Sequence, residues 1–379
     1  MPSACIEDLR AAARRRLPRA VFDFVDGGAQ DEATLRANRA DFARLTLMPR
    51  VLTDVSQRNL GVELFGRRLA LPLIVAPTGL AGLLARRGEV AEARAAERAG
   101  IAYCLSQMAA TSIEDIERAT SQPFWFQTYL LKDRGINAAL LQRAARAGCE
   151  VLVVTVDTKA QGPRDRDVRN GFTVPPRVTW RNAFDLARRV GWLRDVALGP
   201  RVTFANLAGS LVGSSDIISV ARFAQDQYDH TVDWSQIDWC RGRWKGKLAL
   251  KGILTPEDAR LAVAHGVDAI IVSNHGGRQV DGAPSAIAAL PLIAATVAGR
   301  AELILDGGVR RGTDVLKALA LGARACMAGR PFLYGLAAGG EAGVTRAIEI
   351  LRTELDVGLA LLGRASVADL DETALAAAL

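Results

Sequence analysis

Eight short apolar runs, each followed by a polar or glycine-bearing turn and then a helical pattern, constrain this chain more than any other feature. They are "LPLIVAPTG" (71–79), "AYCLSQ" (102–107), "FWFQTY" (124–129), "VLVVTVD" (151–157), "KLALKGI" (247–253), "AIIVSNH" (269–275), "ELILDGG" (302–308) and "ARACMAGR" (323–330). Helix-like segments such as "GEVAEARAAERAG", "INAALLQRAARAGC", "PEDARLAVAHG" and "GTDVLKALALG" lie between them. Runs of this kind read as strands buried on both faces, and strands alternating with helices pair in parallel. A doubly wound open sheet is the alternative, but eight units at nearly even spacing favour closure. The expectation is an α/β fold, a (β/α)8 TIM barrel with strands from about 71 to 330, in one domain covering 1–379.

One interval breaks the rhythm. Residues 158–246 separate the fourth run from the fifth, and an insertion there lies at the C-terminal face, where barrel active sites are built. Its middle, "VTWRNAFDLARRVGWLRDVALG", mixes Trp, Phe, Leu and Val with Arg at helical spacing. That pattern suits a lid helix packed on the barrel, or an interfacial helix touching an anionic membrane. The segment 1–70 reads as helical and capping structure around the barrel bottom, and the tail after 331 supplies the final helices.

A net charge of +7, dominated by arginine and spread along the chain, suits small anions, a phosphate-bearing cofactor or an anionic membrane surface. No basic, aromatic-interleaved module appears, so nucleic acid is not an expected partner. The five cysteines stand singly, with no metal-ligand spacing, which reads as reduced thiols in the cytoplasm and no metal site. The N-terminus lacks the layout of a signal peptide. The longest uncharged run, Leu69 to Ala85, is too short and too broken by proline and glycine to span a membrane.

The strand ends carry the chemistry. They present Thr78, Ser106, Gln127, Tyr129, Thr155, Asp157, Lys251, His275, Arg278, Asp306, Arg310, Gly329 and Arg330. Singly, each has a structural explanation: a Thr or Gln bonds backbone, an Asp caps a helix, a His packs. Together they are too polar for an apolar core. "DGGVRRG" and "AGRPF" close the seventh and eighth strands, and loops there are the usual phosphate site of such barrels. Glycine allows close backbone approach, and arginine pairs with an anion. Gln127, Ser106 and Thr155 suit the edge of a flat heterocycle, with Lys251 beside a position that becomes negative on reduction. A histidine beside an arginine is what oxidising a 2-hydroxy acid needs. Arg278 holds the carboxylate, neutral His275 accepts the hydroxyl proton, and Asp157 holds the imidazole.

These motifs closely resemble the FMN-dependent L-2-hydroxy-acid-oxidising family, which includes glycolate oxidase, L-lactate dehydrogenase and (S)-mandelate dehydrogenase. The resemblance runs from "LPRAVFDFVDGGAQDE" to the last helices. "SNHGGRQ" (273–279) is the family's signature, and "APTG", "FQTY", "TVD", "LKGI", "DGGVRRG" and "GRP" follow the family's order. It implies FMN as cofactor, His275 as base, Arg278 as carboxylate clamp, Asp157 as the histidine's partner and Tyr129 as a donor to the substrate oxygen. Arg164, in "GPRDRD", matches a mobile second clamp. Ala76, Pro77, Thr78 and Gly79, with Ser106, Gln127, Thr155, Lys251 and Ser273, match flavin-ring contacts. Asp306, Gly307, Gly308, Arg310, Gly329 and Arg330 match ribityl and phosphate contacts, and Met108 lines the substrate pocket.

Two positions are distinctive. Phe24 stands where the family usually has a tyrosine whose hydroxyl meets the substrate carboxylate, which points toward a bulkier or aromatic acid. Gly79 stands where oxygen-reactive members tend to carry alanine, which leans toward a dehydrogenase that hands electrons to a separate quinone or cytochrome. With "LLARRGEV", the long insertion is most similar to bacterial membrane-associated dehydrogenases, so peripheral contact with the inner membrane is expected. The resemblance also implies a homotetramer. The rival readings are a peroxide-producing oxidase and a catalytically silent flavin-binding barrel.

Overall fold

The computed structural model describes residues 3–172, 180–208 and 217–376. Strands β1 (Val62–Leu64) and β2 (Arg67–Leu69) form an antiparallel hairpin. They are followed by β3 (Leu73–Val75), β4 (Ala102–Ser106), β5 (Trp125–Tyr129), β6 (Val151–Thr155), β7 (Lys247–Ile253), β8 (Ala269–Ser273), β9 (Glu302–Asp306) and β10 (Ala325–Ala328). These eight close into a parallel barrel, β10 pairing back onto β3 with Cys326 opposite Leu73 and Ala328 opposite Val75. The open-sheet alternative is thereby excluded.

Side chains alternate between the faces of a strand, and that period organises the interior. Ile74, Cys104, Trp125, Val153, Ala249, Ile271, Ile304 and Met327 form one apolar cluster inside the ring. Two residues on, the same inward face carries Ser106, Gln127, Thr155, Lys251, Ser273 and Asp306, all buried. A polar layer thus stands directly on an apolar one, at the C-terminal end of the strands.

The expectation for residues 1–70 needs correction. Helices Ile6–Arg16, Arg19–Asp26 and Ala33–Arg44 do form, but the second ends at the opposite mouth of the barrel, where Phe24 and Val25 line the cavity. The bottom is closed by the hairpin, whose Val62, Leu64 and Leu69 join the interior cluster while Phe65 meets Trp125 at 5.7 Å between ring centres. Its two turn residues, Phe65 (φ 55°) and Gly66 (φ 78°), have the positive φ values of a tight hairpin turn.

The insertion departs from β6 and includes helices Asp165–Arg169, Trp180–Ala187, Val190–Ala197, Ile217–Asp226 and Ser235–Arg243. Residues 173–179 and 209–216 lie outside the described residues. The segment that the sequence offers as lid or interfacial helix is two short helices with features of both. Trp192 is buried and its Nε1–H donates to the Leu83 carbonyl (2.7 Å), docking one helix on the cavity wall. Phe184, Val190 and Leu198 are more than half exposed, beside Arg188 and Arg194. Arg16 pairs with Asp195, and the Arg19 amide donates to Asp185 (2.6 Å), so both insertion helices are tied to the N-terminal helices. No helix among the described residues is long and apolar enough to cross a membrane.

Candidate active site

A cavity of about 730 Å³ opens at the C-terminal mouth. Its wall includes Phe24, Ala76, Pro77, Thr78, Gly79, Ser106, Met108, Tyr129, Arg164, Lys251, His275, Arg278, Asp306, Gly307, Gly308, Arg310, Gly329 and Arg330. Four of the residues expected there are not part of this wall: Gln127, Asp157 and Ser273 touch it through Ser106, His275 and Lys251, and Thr155 is buried at the end of β6.

The stretch 273–279 builds half of the site. Ser273 Oγ accepts from Lys251 Nζ (3.0 Å) and from the His275 amide (3.0 Å), and donates to Asp306 Oδ2 (2.7 Å). Asn274 exchanges two side-chain hydrogen bonds with Asn38 (2.9 and 2.8 Å), fastening the loop to an N-terminal helix. His275, Gly276 and Gly277 then run through left-handed backbone, with φ of 57°, 65° and 74°. Glycine tolerates this and a histidine rarely does, so the turn holds His275 in a strained pose at the cavity edge. A Cβ at Gly277 would lie 2.7 Å from the Leu35 amide nitrogen, so the close approach also requires glycine. Gln279 donates to the carbonyls of Asp157 (2.7 Å) and Ala160 (2.9 Å), locking the chain that leaves β6.

His275 Nδ1 lies 3.0 Å from Asp157 Oδ1. Burial pushes the imidazole below its ordinary value, and Asp157 only partly restores it. Burial works against the Asp157 carboxylate, but His275 and Lys251 outweigh it and hold the group below its usual range. The pair is therefore a carboxylate accepting Nδ1–H from a neutral ring whose Nε2 keeps its lone pair. Lys251 Nζ sits 2.7 Å from Asp306, and the two nearby carboxylates outweigh its burial and raise it. A fixed positive charge thus stands in the cavity wall.

Three arginines add further positive charge to the wall. Arg278 donates to the carbonyls of Phe24 (2.6 Å) and Gly27 (3.1 Å) and lies over the Phe24 ring at 5.1 Å. Burial and the charges of Arg164 and Arg330 push its guanidinium well below its ordinary value. Arg164 is also lowered by burial, and its Nε is buried without a partner. Like charges held this close and this dry call for an anion. Arg330 commits three donors to the carbonyls of Val25 (2.9 Å), Gly276 (2.9 Å) and Gly27 (2.8 Å), so it clamps the wall as well as facing the cavity.

Sequence reasoning missed Tyr228, Gln161, Asp167, Phe172 and Phe204, all from the insertion and all in the cavity wall. Phe172 packs on Phe24 at 4.8 Å between ring centres. The one local signal was an isolated aromatic in the polar stretch "DQYDH".

The wall fits a phosphorylated flat heterocycle. Thr78 Oγ1 in the wall and Gln127 Nε2 behind it are buried without a partner among the described residues, polar atoms that a heterocycle edge would satisfy. Gly307, Gly308 and Gly329, with Arg310 and Arg330, form an open, basic wall suited to a phosphate tail. No cluster of His, Cys, Asp or Glu able to hold a metal occurs among the described residues.

A barrel with this wall is a flavin-dependent oxidoreductase, and the chain belongs to the FMN-dependent dehydrogenase family, whose model matches residues 13–377. It is 45% identical over 370 residues to the L-lactate dehydrogenase of Caulobacter vibrioides, covering 97% of this chain and 96% of that one. Against the L-lactate dehydrogenase of Pectobacterium atrosepticum it is 42% identical over 369 residues, covering 97% and 95%. The crystal structure of the monotopic membrane protein (S)-mandelate dehydrogenase superposes with a TM-score of 0.95 at 37% identity, covering 99% of this chain and 100% of that one. Mandelate oxidase with (S)-2-phenylpropionate gives 0.84 at 38%, covering 100% and 99%. The cofactor is FMN.

Proposed function

We propose that this enzyme oxidises an L-2-hydroxy acid to the 2-oxo acid. The observation that carries this reading is a neutral His275, oriented by the Asp157 carboxylate, in one cavity with the buried cations Arg164 and Arg278. Arg278 and Arg164 hold the substrate carboxylate, which fixes the hydroxyl near His275 Nε2. That nitrogen accepts the hydroxyl proton, and Asp157 stabilises the imidazolium that forms. Tyr129 donates to the substrate oxygen. FMN, when bound, supplies the two-electron acceptor. Lys251 would hold positive charge beside the ring, with Ser106, Gln127, Thr155 and Ser273 at or behind its edge. The glycine-rich wall and Arg310 and Arg330 would hold the ribityl phosphate.

Electrons pass onward to a quinone or cytochrome. The enzyme works as a cytoplasmic homo-oligomer resting on the inner membrane, with Phe184, Val190 and Leu198 as the apolar contact and neighbouring arginines meeting anionic headgroups. The Phe24–Phe172 pair gives the pocket an apolar stretch of wall, which favours a bulkier acid over glycolate. The test is one cuvette. Yellow enzyme mixed anaerobically with L-lactate, glycolate, (S)-mandelate or longer L-2-hydroxy acids should bleach. A flavin that none of them reduces would refute the reading. Reoxidation in air, with and without a dye acceptor, separates a dehydrogenase from an oxidase.

A further inference from the structure

The chain has four tyrosines. Tyr103 is buried in the core, and the Tyr334 hydroxyl donates to Asp26 (2.7 Å). The other two, Tyr129 and Tyr228, line the cavity edge to face, with ring centres 6.5 Å apart at 71°. Neither of their hydroxyls has a hydrogen-bond partner among the described residues.

Tyr228 is positioned by backbone pairing next to β5. Its segment forms an isolated antiparallel bridge with Leu131, just after β5. The Lys132 amide donates to the Gln227 carbonyl (2.9 Å), and the Asp133 amide donates to Gln227 Oε1 (3.0 Å). The insertion thus lays Tyr228 against the strand end that carries Tyr129.

The two phenols face different charges. Burial pushes the Tyr129 phenol up, with Tyr228 and Asp157 adding to it and Arg164 and Arg278 opposing it. Tyr228 feels Arg164, whose pull is outweighed by burial, so the phenol stays protonated and able to donate. Arg164 itself has a buried, unpartnered Nε. An unpaired phenol and an unpaired guanidinium N–H at one end of a cavity are the complement of a carboxylate. Phe24, elsewhere in the same wall, has no hydroxyl to contribute.

Resting on the reading that the cavity takes a 2-hydroxy acid, we propose that Tyr228 is a substrate-binding residue whose hydroxyl donates to the acid's carboxylate beside Arg164. The role lies in affinity: the contact exists in the ground state and should change little at the transition state.

The test is Tyr228→Phe in the FMN-loaded enzyme, which removes one oxygen and keeps the ring contact with Tyr129. Two readouts are needed. One is KM and the limiting rate of anaerobic flavin reduction with L-lactate and (S)-mandelate. The other is Kd for oxalate, an inert carboxylate, read from the perturbed flavin absorbance. A hydrogen bond to a charged group predicts that KM and Kd both rise about tenfold or more, with the limiting rate changing less than about threefold. Unchanged KM and Kd would overturn the proposal, as would a fall confined to the limiting rate. If no 2-hydroxy acid reduces the wild-type flavin, the functional reading fails by itself. The oxalate arm still decides whether Tyr228 binds a carboxylate.

Discussion

Replacing Asp157 by asparagine isolates one charge without removing the side chain that orients His275. The amide oxygen can still accept Nδ1–H at the observed 3.0 Å, so the ring should keep its pose and the flavin its site. What disappears is the attraction between the carboxylate and the imidazolium formed when the substrate gives up its proton. With charge centres ~4 Å apart and an effective dielectric of ~20, that attraction is about 4 kcal/mol. A transition state with half the proton transferred would lose about 2 kcal/mol, and a late one nearly all of it. Flavin reduction should therefore slow by about 30- to 1,000-fold, at 1.4 kcal/mol per factor of ten. The pH dependence carries a second sign. On the proposed mechanism, wild-type reduction needs neutral His275, which burial holds below its ordinary value, so the rate should hold through neutral pH and fall as pH drops through that depressed value. Asp157 opposes the depression, so its loss moves the acid limb to still lower pH while lowering the plateau. Anaerobic stopped-flow reduction across pH 5–9 reads both. A plateau within about twofold of wild type, or an acid limb displaced upward, would refute the assignment of Asp157 as electrostatic partner.

Three further outcomes follow from the same geometry. His275→Gln should retain bound FMN, seen in the visible spectrum, but lose about 10²–10⁴-fold in flavin reduction; a yellow variant reducing at the wild-type rate would remove His275 as base. Phe24→Tyr adds a donor to the cavity wall near Arg278, and if it reaches the carboxylate, KM for L-lactate or glycolate should fall about tenfold with little change in limiting rate. An unmoved KM would mean that the pocket is built around the Phe24–Phe172 pair. Replacing both Phe184 and Val190 by serine should weaken sedimentation with anionic vesicles at low salt and leave dye-linked turnover near wild type. Equal sedimentation of the two proteins would make these residues ordinary surface.

The barrel was legible because burial on both faces leaves a plain trace: each strand is a short apolar run with its polar residue at the end. Reading the strand ends brought out Lys251, Asp306 and His275, all of which line the cavity: Lys251 and Asp306 on inward strand positions, His275 on the left-handed turn after β8. The hairpin at 62–69 was not legible. "VEL" and "RRL" are too short and too charged to announce strands, and their apolar residues matter only because an open barrel end needs a plug. Tyr228, Phe172 and Phe204 were missed for a related reason: what makes them cavity residues is how the insertion folds back over the mouth, which no local pattern records. The sequence suggested Arg330 as an anion binder. It did not reveal that three backbone carbonyls occupy much of its guanidinium, because a carbonyl partner has no residue type.

That clamp has a consequence for how the enzyme comes into being. Arg330 joins residues from opposite ends of the chain, Val25 and Gly27 near the start and Gly276 late in the barrel, and the ring itself closes only when β10 reaches β3. During synthesis the helix bearing Phe24 gains its ties to the insertion and to Arg278 first, and the Arg330 clamp on Val25 comes last, 305 residues further along the chain. A nascent chain short of residue 325 lacks the strand that closes the ring, and it lacks Gly329 and Arg330 from the wall proposed to hold the flavin's phosphate. Capture of the cofactor should therefore wait until the last barrel strand is made, and a chain cut before that strand should emerge colourless however well its earlier strands are made.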